Sequence, residues 1–145
     1  MLLALMGVSL VAPSVQAAPR TGVRPTDDEL ARRMLTLVNA ARDHHGLATL
    51  TMNHRLSGVA LRHSKRMARS GTISHTSNLG DLVRSEGGSV YGEDLAKGRG
   101  LRGILDAWLE RTDTRRILLD PRFRRSGVGV VHVNGFYWVT FQAFD

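Results

Sequence analysis

Residues 127–141 leave little choice of local structure. Gly127-Val128-Gly129-Val130-Val131-His132-Val133 alternates, Asn134-Gly135 interrupts, and Phe136-Tyr137-Trp138-Val139-Thr140-Phe141 follows. Asn-Gly accepts the positive φ angles of a two-residue type I′ turn, whose twist matches that of paired strands. The flanking residues are β-branched or aromatic, so the segment reads as an antiparallel hairpin.

The residues before it carry helical spacing instead. Thr26-Asp27-Asp28-Glu29 has the form of a capping box, and Leu30, Met34, Leu37, Val38 and Ala41 share one face behind it. This predicts a helix over 27–44, closed by Gly46, with His44-His45 favourably placed at its C-terminal end. Thr49 to Met52 alternates briefly like a strand. Asn53 or His54 then opens a second helix through Leu56, Val59, Ala60 and Met67, which Gly71 closes. Residues 72–88 read as a polar loop with room for one helical turn at 79–84. Residues 90–96 suit a buried strand or the approach to a helix, and a third helix carries Ile104, Leu105 and Trp108 to about Arg111. Helices first and a hairpin last, without repeats, point to one α+β domain.

Residues 1–12 are apolar and uncharged, and Val15-Gln16-Ala17 supplies small residues for cleavage. This is the pattern of a secretory signal at 1–17, too short to span a bilayer comfortably, with a linker at 18–26 and the domain at 27–145. After cleavage nothing else reads as a membrane span. The chain has no cysteine, which excludes disulfides and thiolate metal sites. Its formal charge is +7, and all but two of its 20 positive side chains are arginine. Contact with anionic polymers of a cell envelope is therefore open. The arginines are interleaved with acids, as in Asp106, Glu110, Arg111, Asp113 and Arg115, and this dispersal argues against nucleic acid as the partner.

The ordered set Leu37-Val38-Asn39-x-x-Arg42, Ala60-x-x-His63, Ile73-x-His75-Thr76-Ser77, Tyr91-Gly92-Glu93-Asp94-Leu95-Ala96, Ala107-Trp108, Asp120-Pro121-x-Phe123 and Gly127-Val128-Gly129-Val130 resembles the CAP superfamily of cysteine-rich secretory, antigen 5 and pathogenesis-related proteins. It is most similar to the cysteine-free bacterial SCP-like domains. The resemblance implies a secreted three-layer α-β-α sandwich with a central antiparallel sheet. It also implies a cleft in which two histidines and one or two acids converge, sometimes around a divalent cation. The family histidine and glutamate map to His75 and Glu93, while the family asparagine is Asp94 here. Counting back from Gly127, the second histidine maps to Thr114.

A cation would thus meet one imidazole, His75, and the carboxylate of Glu93, with Asp94 and Asp113 as reserve oxygen ligands. His75 and Glu93 also form a general-base pair on paper, because a carboxylate can orient an imidazole. The plainer alternative is a hydrogen bond fixing a loop. No Gly-x-Ser-x-Gly elbow surrounds Ser74, Thr76, Ser77 or Thr114. The expectation is a non-catalytic extracellular binding module, with a cleft lined by His75, Glu93, Thr114 and Tyr91. That cleft would take a small ligand, a lipid among them, or a cation held weakly; protein or envelope partners are also open. The alternatives are a hydrolase using His75 and Glu93, and a basic envelope protein. His63 falls on the apolar side of its helix and reads as a satisfied, half-buried histidine.

Overall fold

The computed structural model describes residues 23–145. The leader read at 1–17 and the first part of the 18–26 linker lie outside the described residues. In chain order the elements are α1 (Asp27–His44), β1 (Thr51–Met52), α2 (His54–Ser70), α3 (Leu79–Ser85), β2 (Tyr91–Gly98), α4 (Leu101–Glu110), α5 (Thr112–Leu118), β3 (Arg125–Val133) and β4 (Phe136–Phe144). The capping box of α1 is formed: Thr26 Oγ1 accepts from the Glu29 amide at 3.2 Å, and the Glu29 carboxylate accepts from the Thr26 amide at 2.7 Å. Asn53 caps α2 by accepting from the Leu56 amide, and Gly71 ends that helix at φ 72°.

The sheet runs β1-β3-β4-β2, with β2 and β4 antiparallel and β3 and β4 joined by the hairpin over Asn134-Gly135. β1 departs from the antiparallel expectation. It pairs parallel with β3 through Thr51 and Met52 alone, because the chain leaving α1 runs alongside the start of β3 before turning into α2. Residues 91–98 form a strand rather than the approach to a helix. The helix α5 lacks the apolar periodicity that betrays the others; Thr114 Oγ1 donates to the Trp108 carbonyl at 2.6 Å and ties it to the end of α4.

Alternation along the strands divides the core. Val128, Val130, Val139 and Phe141 face α1 and α4, where Met34, Val38, Leu105 and Trp108 close a buried cluster. On the opposite face the glycines of β3 meet α2. A Cβ at residue 129 would lie 2.2 Å from the Ala60 and Leu61 backbone, and one at residue 127 would lie 2.6 Å from Leu56 Cβ. The helix can rest on the strand only because both side chains are absent. Ser64, fully buried in α2, donates to the Gly129 carbonyl and shares a hydrogen bond with Thr140 across this contact. At the far end of α1 the buried Arg42 guanidinium donates to the carbonyls of Ala48, Leu118, Asp120 and Phe123, which fastens the helix to the approach to β3.

Gly129→Ala is expected to destabilise the fold by about 3 kcal/mol, since helix backbone rather than a flexible side chain must move. Gly103→Ala, in an exposed turn of α4 with nothing within 4 Å of the added carbon, should stabilise by about 0.5–1 kcal/mol. Urea denaturation of the two variants checks the contrast.

Candidate functional site

The strand β2 lies at the edge of the sheet, and the loop joining α2 to α3 passes over its α2-facing side. His63 anchors that loop. Its ring is buried, Nε2 donates to the Ser74 carbonyl at 2.5 Å, and Nδ1 accepts from Arg66 at 3.0 Å. An arginine can only donate, so Nδ1 is bare and the proton sits on Nε2. This is the satisfied histidine expected from the sequence, and its carbonyl partner immediately precedes His75.

His75 and Glu93 meet. The Glu93 carboxylate accepts from His75 Nδ1 and from the Thr76 amide at 2.8 Å each through Oε1, and from Gln142 Nε2 at 2.9 Å through Oε2. Its side chain is 4% exposed, against 74% for the imidazole. Burial pushes the Glu93 carboxyl up, but the hydrogen bonds from Gln142, Thr76 and His75 outweigh it and hold the group below its ordinary value. An ionised carboxylate accepts only, so in the neutral ring of His75 the proton sits on Nδ1. Nε2 is left as a bare acceptor. Gln142 was not singled out from the sequence; it is the register partner of Glu93 in the β2–β4 pairing, which the hairpin alone does not reveal.

Asp94 does not join this group. As the next residue of the strand it faces the opposite side, where its register partner Phe141 packs on Trp108. Burial, reinforced by Asp113 and then Glu93, pushes its carboxyl up to about 8, and its Oδ2 is buried without a partner. Asp113 itself pairs with Arg111 at 2.9 Å. The two reserve oxygen ligands are therefore occupied elsewhere or turned away.

The cleft beside the pair measures about 520 Å³, and its lining includes His75, Glu93, Tyr91, Gly80, Arg84 and Ile117. Tyr91 lies across Gly80, where a Cβ would sit 2.7 Å from the phenolic oxygen. Thr114 is not part of the lining; Ile117, one turn further along α5, supplies that wall, and the Thr114 hydroxyl is engaged with Trp108. For a divalent cation the donor set amounts to one bare imidazole nitrogen beside a carboxylate already accepting three hydrogen bonds. Among the described residues no group of three or more His, Cys, Asp or Glu side chains could hold a metal. These residues do not fit a cation held by the protein alone.

The buried Asp94 makes stability depend on pH in a defined direction. Below its ordinary value of 3.8 both states hold the proton; between 3.8 and about 8 the unfolded chain has released it and the folded chain has not. Stability from this group therefore falls as pH rises across that window, by up to about 1.4 kcal/mol per pH unit, and levels off above it. Asp94→Asn should remove this part of the slope and leave the variant the more stable at pH 8. Urea titrations from pH 5 to pH 9 read it directly, and parallel profiles for the two proteins would refute it.

Comparison with known proteins agrees with this architecture. The sequence matches the cysteine-rich secretory protein (CAP) family over residues 35–143. It is 31% identical over 114 residues to the uncharacterized protein YkwD of Bacillus subtilis, covering 74% of this chain and 44% of that one, so the chain spans less than half of that relative. An extracellular protein of Bacillus anthracis containing an SCP domain is 27% identical, with a TM-score of 0.59 over 83% of this chain and 44% of that one. An outer surface protein of Borrelia burgdorferi shares the fold at a TM-score of 0.74 and 17% identity, covering 86% of this chain and 98% of that one. With its helix-sheet-helix layers and its matched span of residues, the chain belongs to the CAP family.

Proposed function

We propose that this CAP domain is a secreted, non-catalytic binding module whose ligand enters the cleft over β2 and meets the bare Nε2 of His75. The observation that carries this reading is the state of Glu93. The carboxylate is buried and bonded to His75, Thr76 and Gln142, so it acts as a fixed orienting group rather than an attacking or ligating one. Among the described residues no hydroxyl is hydrogen-bonded to His75 Nε2, the contact that would activate a nucleophile. Thr76 Oγ1, on the residue next to His75, accepts from Gln142 instead. What remains is a cleft of mixed character, in which the bare nitrogen of His75 stands among the polar side chains of Asn78, Asp81 and Arg84 and the apolar walls of Leu79 and Ile117, a combination that suits a small molecule. The apolar leader read at residues 1–17 and the extracellular SCP protein among the relatives support export.

Two measurements test this. N-terminal sequencing of the exported protein should begin at Ala18; a product retaining Met1 would contradict the leader. Mass spectrometry of small molecules released from the purified protein should find a species that is lost in His75→Ala. Hydrolysis of p-nitrophenyl acetate should be the same for both proteins within about threefold. A drop of about a hundredfold or more in His75→Ala would replace the binding reading with general-base catalysis.

A further inference from the structure

A second surface lies away from the cleft, at the other end of β2. Lys97 lies in β2 and Arg99 one residue past its end, and both side chains reach the Phe136 ring, while Gly98 between them turns inward. A Cβ at residue 98 would lie 2.6 Å from Ile104, so the alternation cannot slip without a clash. The register sets Lys97 opposite Trp138, and Phe136 is the next residue of β4 on that face. Lys97 Nζ stands 4.5 Å from the Phe136 ring centroid and 4.9 Å from that of Trp138, and Arg99 Cζ stands 4.6 Å from the Phe136 centroid. Two cations thus converge on one aromatic ring.

Neither has a counter-charge among the described residues. Arg32, Arg55, Lys65, Arg84, Arg111 and Arg122 each meet a carboxylate, but among the described residues no acidic oxygen lies within 4 Å of Lys97 or Arg99. Both side chains are exposed. Because they lean on the same ring, their charges are closer than about 10 Å, the screening length at 0.1 M salt, and repel each other in the free protein. The ring contacts hold the two head groups in place, which lowers the entropy lost when an anion docks against them. Phe136 is half-buried and already in contact with both cations, which disfavours it as a stacking platform for a base or a wedge into a bilayer. A fork-shaped guanidinium beside a point-like ammonium suits the oxygens of phosphate groups.

We propose that Lys97 and Arg99, held on Phe136, form a docking site for a phosphate-bearing polyanion. The site is independent of the His75 cleft and gives the arginine-rich surface a specific point of contact. Its test uses the mature chain and inorganic polyphosphate as the probe, with affinity measured by calorimetry at several salt concentrations. Lys97→Gln/Arg99→Gln should weaken binding by about tenfold or more and lower the slope of log affinity against log salt by about two. Lys97→Arg should bind within about twofold of the parent. Arg62→Gln/Arg116→Gln removes the same charge from exposed positions and should change affinity by less than about threefold. Equal losses in the two double variants would reduce the effect to net charge and overturn the site, as would no measurable binding by the parent. Tighter binding to phosphatidylglycerol vesicles than to polyphosphate at equal phosphate concentration would replace the polymer with a lipid surface and overturn it also. His75→Ala should leave polyphosphate binding unchanged, which separates this outcome from the fate of the cleft.

Discussion

The approach of α2 to β3 sets the geometry on which the candidate site depends. Gly127 and Gly129 allow helix backbone to lie directly on strand backbone, and Ser64 bonds across the contact to Gly129 and Thr140. The depth of α2 fixes the height of His63, whose ring holds the Ser74 carbonyl and thus the start of the segment carrying His75. A helix raised by one methyl layer would lift His75 away from Glu93, which is rooted in the sheet. The pattern Gly-Val-Gly-Val therefore does two jobs: its valines fill the core toward α1 and α4, and its glycines admit α2.

Adjacent carboxyls on β2 show how far strand alternation separates chemistry. Glu93 and Asp94 are neighbours in sequence and both are buried. Glu93 faces donors on Gln142, Thr76 and His75 and is held ionised. Asp94 faces an apolar layer with Asp113 as a like-charged neighbour, and is held neutral near pH 7. Burial acts on both in the same direction; the count of donors decides the outcome. A charged residue beside a neutral one lets the sheet bury two acids without placing two negative charges together.

Much of this was legible in the sequence, and the exceptions have physical reasons. Apolar periodicity, the Thr26 box and the glycine stops locate α1 and α2 almost to the residue, and Asn134-Gly135 locates the hairpin. The seven-residue α5 escaped because its first five residues, Thr112 to Arg116, are polar and its hold on the fold is tertiary, through Thr114 and Ile117. The pairing of His75 with Glu93 followed from the family resemblance rather than from spacing, since 18 positions separate them. Gln142 was hidden because cross-strand register between β2 and β4 is not written in either strand alone. Thr114, which the resemblance sets at the place of the second histidine, has its hydroxyl on the Trp108 carbonyl, where it ties α5 to α4. The pairing of Lys97 with Arg99 on one ring likewise depended on the register that brings Phe136 beside them.

The chemistry of the cleft turns on the position of a single proton. A buried, ionised Glu93 orients His75 so that Nδ1 carries hydrogen and Nε2 is left bare. The ¹⁵N chemical shifts of the His75 ring, recorded by long-range ¹H–¹⁵N correlation at a pH where the imidazole is neutral, report this directly. Nδ1 should appear as a protonated, pyrrole-type nitrogen and Nε2 as a bare, pyridine-type one. A ring protonated on Nε2, or an even mixture of the two tautomers, would contradict it.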